Sequence, residues 1–186
     1  MSQSENTKDK IIKSAIKIFA EKGYWKTKVS DIVADAGFAQ GSFYNCFNGK
    51  EECFKEILLM LHNETVSQVE SILSSLPAEE KLPGFLRFLN RRFRQSQDIA
   101  KIFLYEALTC SHELREIYIS FKQKNFEILY SILTELKCEY RFEKAFLLNS
   151  FIKSMIETLI IENNSSIEDV DKIIDNTLKI VLKEQQ

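Results

Sequence analysis

From Gln40 to Asn45 the chain reads Gln-Gly-Ser-Phe-Tyr-Asn, in which four of six side chains carry an amide or a hydroxyl and none carries a charge. Such groups can recognise other molecules by hydrogen bonding. A Gln or Asn amide matches adenine N6 and N7 with two hydrogen bonds at once, and phosphate oxygens accept from hydroxyls, ammonium groups and backbone amides. Thr27, Lys28 and Lys50 flank the stretch as further donors, and Gly41 and Ser42 are small enough to let a backbone come close to base edges. The chemistry of a reaction is missing. The sequence holds no Gly-rich phosphate loop, no G-x-S-x-G and no cluster with metal-ligand spacing, so an enzyme is not expected.

These residues need elements to hold them. Thr7 to Lys22 predicts an amphipathic helix, with Ile12, Ala15, Ile16 and Phe19 at i, i+3, i+4 and i+7, and Gly23 in the position of a left-handed C-terminal cap. Val29, Ile32, Val33 and Ala36 repeat the pattern up to Gly37. A third helix from Ala39 or Gln40 to Phe47 must be short, because Asn48-Gly49 is a strong turn signal. Ala39, Phe43 and Phe47, four apart, make its buried stripe, which leaves Gln40, Gly41, Ser42, Tyr44 and Asn45 facing out. Two helices around a Gly37-centred turn form a helix-turn-helix, whose second helix fits the major groove of double-stranded DNA.

From Lys50 a long helix is expected to about Ser75, stopped at Leu76-Pro77 because a residue before proline avoids helical geometry. After Pro83 the periodicity predicts helices near 84–96, 99–110, 113–136, 141–163 and 167–184. The fold class is therefore all-α. Five glycines and two prolines leave little raw material for sheet turns. The domain expectation is 1–53 for the helix-turn-helix and 54–186 for a larger helical domain.

At this point the residues resemble a known family. Ile11-Ile12, Ala15, Phe19-Ala20-Glu21-Lys22-Gly23-Tyr24, Thr27, Val29, Asp31-Ile32-Val33, Ala36-Gly37, Gly41-Ser42-Phe43-Tyr44, Phe47 and Lys50-Glu51 are similar to the N-terminal DNA-binding domain of TetR-type transcriptional regulators. The resemblance implies Thr27, Gln40, Ser42, Tyr44, Asn45 and Lys50 as DNA-contacting positions. It also implies a small-molecule effector and release from a palindromic operator. Three positions depart from the pattern: Ala39 stands where a capping Ser or Thr is usual, Gln40 where Lys or Arg is frequent, and Cys46 where an aromatic or His is common. A missing cap costs about 1 kcal/mol, so the third helix leans on Phe43 and Phe47. Past residue 60 the likeness is confined to length, helix content and the Phe103–Ala107 stretch.

Charge is nearly balanced, −2 over 186 residues, with eight lysines against seven acids through residue 53. By charge alone no nucleic-acid binder is announced, since such domains usually have a pI above ~9. Cys46, Cys53, Cys110 and Cys138 form no C-x-x-C pair, and His62 and His112 stand fifty residues apart, so reduced thiols without a metal or other cofactor are expected. No apolar run approaches a membrane span, and no signal peptide opens the chain, which suggests a soluble cytoplasmic protein without a membrane partner.

A single helix-turn-helix has too small a footprint, so a two-fold homodimer on a palindromic operator is expected. The helices at 141–163 and 167–184 carry more apolar side chains than one face can bury, and Phe151, Met155, Leu159, Ile174, Leu178 and Val181 are the expected interface. Nine of fourteen phenylalanines follow residue 84, so Phe85, Phe88, Leu89, Phe103, Phe121, Phe126 and Tyr130 are candidates to line a pocket for a hydrophobic effector. Arg87, Arg91, Arg92 and Arg94 form either a solvated face or an anion site. The competing reading is a helical homodimer that holds a protein partner or scaffolds DNA without an effector.

Overall fold

The computed structural model describes residues 3–95, 97, 100, 111–161 and 170–183. Its helices are α1 (Gln3–Lys22), α2 (Val29–Ala36), α3 (Gln40–Tyr44), α4 (Lys50–Ser75), α5 (Ala78–Gln95), α6 (His112–Glu135), α7 (Arg141–Ile161) and α8 (Val170–Leu182). Of the expected helix at 99–110 only residue 100 is described, and the Phe103–Ala107 stretch lies outside the described residues. Among the described residues no helix is long and apolar enough to cross a membrane.

Two compact units share the chain. The first is Met1–Asn63 with Asp98–Tyr118, the second Glu64–Gln97 with Ile119–Gln186. Both α4 and α6 run from one unit into the other.

In the first unit α1, α2 and α3 pack on one another. Of the stripe expected on the first helix, Ile12, Ala15 and Phe19 go inside and Ile16 is half-buried, while Ile11 and Ile18 join the core; Ile32 and Phe43 of the next two helices have no solvent exposure. Phe19, Tyr24 and Phe54 make a three-ring cluster with centroids 5.0 to 5.6 Å apart, at spacings that favour edge and tilted contacts. Gly37 ends α2 at φ 74°, and the adjoining backbone amides bond back to Ala34 and Val33. Only a residue without Cβ takes that left-handed turn at little cost.

Three boundaries differ from the periodicity. α1 starts at Gln3 instead of Thr7, since no glycine or proline stops it earlier. Regular helix in α3 ends at Tyr44, and Asn45 to Phe47 continue as a turn whose amides still bond to Gly41 and Phe43. α5 begins at Ala78 and carries Pro83 inside it. Proline forfeits one helical hydrogen bond, but Leu82, Phe85 and Leu86 beside it are fully or almost fully buried, and that burial holds the helix together. At Gly84 a Cβ would meet Leu76 Cδ1 at 2.6 Å, so the Leu76-Pro77 junction folds directly onto α5.

In the second unit α5 packs on α7 and α8. Leu82, Leu86, Leu89, Leu129, Leu133, Ala145, Leu148, Ile152 and Ile174 form its core. A polar seam orients α8: Arg87 binds Asp175 at 2.5 Å, and Asn90 donates to Asp171 at 3.5 Å. Asp171 and Asp175 are one turn apart, so both acids lie on the side that meets α5. Arg92 pairs with Glu64 at 3.3 Å and Arg94 donates to Asn90 at 3.1 Å, which occupies three of the four arginines with protein groups.

Candidate nucleic-acid interface

The site is built from the back of α3 outward. Phe43 and Phe47 are 0% and 2% exposed, with ring centroids 5.3 Å apart, and pin the helix to the first unit. Ala39, expected in the same stripe, is exposed, because it stands at the N-cap ahead of the first helical turn. Its methyl group makes no capping hydrogen bond. Opposite the rings, Gln40, Gly41, Tyr44 and Asn45 are exposed and Ser42 is half-buried. Tyr44 remains 56% exposed while its ring meets Phe43 edge-on at 5.7 Å, so it projects outward from a fixed base.

Gly41 adds an independent sign. A Cβ built there meets no atom within 4 Å, so the fold does not require glycine at a helical position where glycine costs about 1 kcal/mol.

The flanking donors divide. Lys28 is exposed and stands at the start of α2, where its backbone amide donates to Asp31 at 2.9 Å. Thr27 is only 3% exposed, and its hydroxyl donates to the Gly23 carbonyl at 2.7 Å. Lys50 Nζ donates to the carbonyls of Tyr24 at 2.6 Å and Thr27 at 2.9 Å. Thr27 and Lys50 therefore both donate to carbonyls of the loop between α1 and α2. Trp25, which drew no attention in the sequence, is 60% exposed beside them.

Electrostatics secure the same unit. Asp31 bonds to Lys28 and pairs with Lys22 at 3.0 Å, and Asp35 pairs with Lys17 at 2.5 Å. Hydrogen bonds from those groups hold both carboxyls below the ordinary value of 3.8. Burial pushes the Cys53 thiol up to about 12, which makes it an inert core residue.

In the second unit Phe85, Phe88 and Leu89 are 1%, 8% and 1% exposed and pack as core, while Phe121 and Phe126 are half-buried and Tyr130 is 37% exposed. Phe103 lies outside the described residues. A cleft of about 440 Å³ opens instead among Leu73, Lys81, Lys124, Ile128, Ile132 and neighbouring polar residues, and none of the expected pocket residues lines it.

The residues expected at a dimer face differ in burial. Met155, Ile174 and Leu178 are at most 7% exposed and pack inside their own unit, Phe151 and Val181 are half-buried, and the side chain of Leu159 lies outside the described residues. The large apolar side chains left outside are Phe142, Phe146 and Leu147 on α7, 59%, 61% and 58% exposed, and Ile173 and Ile180 on α8, 42% and 77% exposed. α8 is apolar on two faces, and the Asp171–Asp175 seam decides which of them turns to α5.

A helical protein with a helix-turn-helix whose second helix bares its polar edge belongs to the class that docks such a helix in a groove. Residues 11–57 match the family of bacterial regulatory proteins, tetR family, and residues 80–181 match the tetracyclin repressor-like C-terminal domain. The chain belongs to the tetR family of regulators. The fatty acid metabolism regulator protein of Bacillus subtilis (strain 168) is 30% identical over 140 residues, 73% of this chain and 70% of that protein. YdgC of the same organism, an HTH-type transcriptional regulator, is 36% identical over 72 residues, 39% of this chain and 37% of that protein. The match thus spans little over a third of that relative's length. The structure of FadR from Bacillus subtilis in complex with stearoyl-CoA superposes with a TM-score of 0.74 at 22% identity, covering 96% of this chain and 99% of that one.

Proposed function

We propose that this chain is a transcriptional repressor that binds a palindromic DNA operator as a homodimer and is released by a small hydrophobic effector. The observation that carries the reading is the divided surface of α3, with Phe43 and Phe47 buried and Tyr44, Asn45, Gln40 and Gly41 exposed. Gln40 and Asn45 supply amides for base edges, and Ser42, Tyr44 and Lys28 supply phosphate donors.

Homodimerisation is supported by the outward apolar face of α7 and α8. Phe146 is followed at one-turn intervals by Ser150 and Ser154, both exposed, and small side chains let a second helix come close. Ile173 and Ile180 are seven residues apart on α8, so they lie on one stripe. Together these make a four-helix interface around a two-fold axis.

For the effector, a fatty acid metabolism regulator and a FadR bound to stearoyl-CoA among the similar proteins make long-chain acyl-CoA the first class to try. The cleft on α4, α5 and α6 has Leu73, Ile128 and Ile132 for an apolar chain and Lys124 for an anionic group, while Lys81 is paired with Glu135 at 2.7 Å and Glu70 and Glu127 also line it. Because α4 belongs to both units, a ligand that shifts it changes the setting of the reading helices.

The test is selection of binding sites from a random duplex pool, followed by titration of the selected DNA with acyl-CoAs of stepped length. Release with a 5- to 150-fold weakening, roughly the range of such coupling, is the expected result. DNA binding that no acyl-CoA alters contradicts the effector assignment. An unenriched pool contradicts the repressor itself.

A further inference from the structure

We infer that Trp25 and Lys26 make a second DNA contact beside α3, donating to phosphates of the strand that flanks the half-site. The loop between α1 and α2 then adds affinity without reading bases. The inference rests on the DNA-binding reading above.

Trp25 is the sole tryptophan of the chain and is 60% exposed, while Tyr24 before it and Thr27 after it are 5% and 3% exposed. The loop thus turns two side chains inward and presents Trp25, Lys26 and Lys28 outward. Tryptophan suits a surface that meets a partner, because its body is apolar and its edge donates. An indole has one donor and no acceptor, and an ammonium has donors only. The outer side of this loop therefore fits a partner built of acceptors, which is what a phosphate backbone is.

The donors stand on a fixed base. The Tyr24 ring packs against Phe19 and Phe54, and the indole leans edge-on against Tyr24 at 5.4 Å. Thr27 donates to the Gly23 carbonyl at 2.7 Å, and Lys50 donates to the carbonyls of Tyr24 and Thr27 at 2.6 and 2.9 Å. Groups already ordered lose little freedom on binding.

Position along the chain selects DNA as the partner. The loop ends at Lys28, the N-cap of α2, and in a docked helix-turn-helix the first helix crosses the sugar–phosphate backbone while the second enters the groove. Residues that lead into α2 are placed to meet the phosphates next to those α2 meets. The acids of α2 do not oppose this: Asp31 and Asp35 are paired with Lys22 and Lys17 at 3.0 and 2.5 Å.

Acrylamide quenching of Trp25 fluorescence tests the contact in the wild type, free and bound to its selected duplex. The quenching constant should fall severalfold on DNA. Unchanged quenching on a duplex that is bound overturns the inference and leaves the repressor reading standing. Two variants then separate the donors. Trp25→Phe keeps a ring and loses the N–H, so operator affinity should fall about tenfold, the size of one hydrogen bond to a charged group. A neutral donor releases no counterion, so its slope of log K against log salt should not change. Lys26→Met should flatten that slope by about 0.9 per subunit. Both variants should enrich the same repeat as the wild type. Wild-type affinity and slope in both overturn the inference, as does an altered repeat. If either variant does not fold, the wild-type quenching decides. Wild-type protein that enriches no duplex defeats the DNA-binding reading and this inference with it.

Discussion

The Phe43 ring lies 5.3 Å from the Phe47 ring, both are buried, and Tyr44 between them is 56% exposed. One turn of chain thereby spends its apolar side on the fold and keeps its polar side for a partner. With Phe43 and Phe47 as the anchors and Tyr44, Asn45 and Gln40 as the proposed recognition residues, the two properties should separate by mutation.

Gly41→Ala tests this directly. A Cβ at position 41 meets nothing within 4 Å and removes the glycine penalty, so stability should rise by about 0.5 to 1 kcal/mol. Operator affinity should nevertheless fall, since the added methyl stands where DNA approaches. Thermal unfolding and DNA titration on the same sample check the pair of effects; a gain in both removes close approach at Gly41 from the account.

Ala39→Ser supplies the cap that α3 lacks. With the Ala39 backbone already extended at φ −79° and ψ 157°, a serine hydroxyl can accept from an amide of the first turn, where Ser42 N bonds only back to the Ala39 carbonyl at 3.0 Å, and should stabilise the first unit by about 1 kcal/mol. Denaturant unfolding measures it, and no gain would mean that the first-turn amides are already satisfied.

The outward face of α7 and α8 predicts the effect of charge. Phe146→Glu with Ile180→Glu places two acids on positions 61% and 77% exposed in the single chain, so the fold should survive while the dimer dissociates. Sedimentation at micromolar concentration should report a monomer with normal helix content. The same substitutions leaving a dimer intact would move the interface elsewhere.

Acid should loosen the DNA-binding unit first. Asp31 and Asp35 are held below 3.8 in the folded chain by hydrogen bonds, Asp31 from Lys28 and then Lys22, Asp35 from Lys17 and then Ser14. A depressed carboxyl stabilises the fold above its unfolded value, and that contribution is lost as pH falls through the folded value. Unfolding of the first unit should therefore change little from about pH 7 to 5 and become easier below about pH 4. Asp31→Asn with Asp35→Asn should flatten that acid limb; an unaltered limb assigns it to other carboxylates.

The sequence made α3 legible because two phenylalanines four apart leave little choice of buried face. It did not reveal Ala39 as exposed, since the spacing rule says nothing about a residue one step before the helix. Nor did it show the carbonyl partners of Lys50, which depend on tertiary packing: the ammonium reaches back 26 and 23 residues. α8 was ambiguous for a different reason. Ile173 and Ile180 compete with Ile174 and Leu178 as its apolar face, and only the pairing of Asp175 with Arg87 on α5 shows which face stays outside. Pro83 predicts a helix start at about Gly84, but α5 begins at Ala78 and runs through it, because local propensity yields when the residues beside it are buried.

The account stands most directly on binding-site selection with the wild type and Tyr44→Ala, performed at one stated salt concentration. The prediction is that the wild type enriches an inverted repeat with half-sites about one or more helical turns apart, and that Tyr44→Ala, folded by circular dichroism, loses it. Enrichment of the same repeat by Tyr44→Ala at wild-type affinity, or no enrichment by the wild type, would contradict the assignment of α3 as the reading helix.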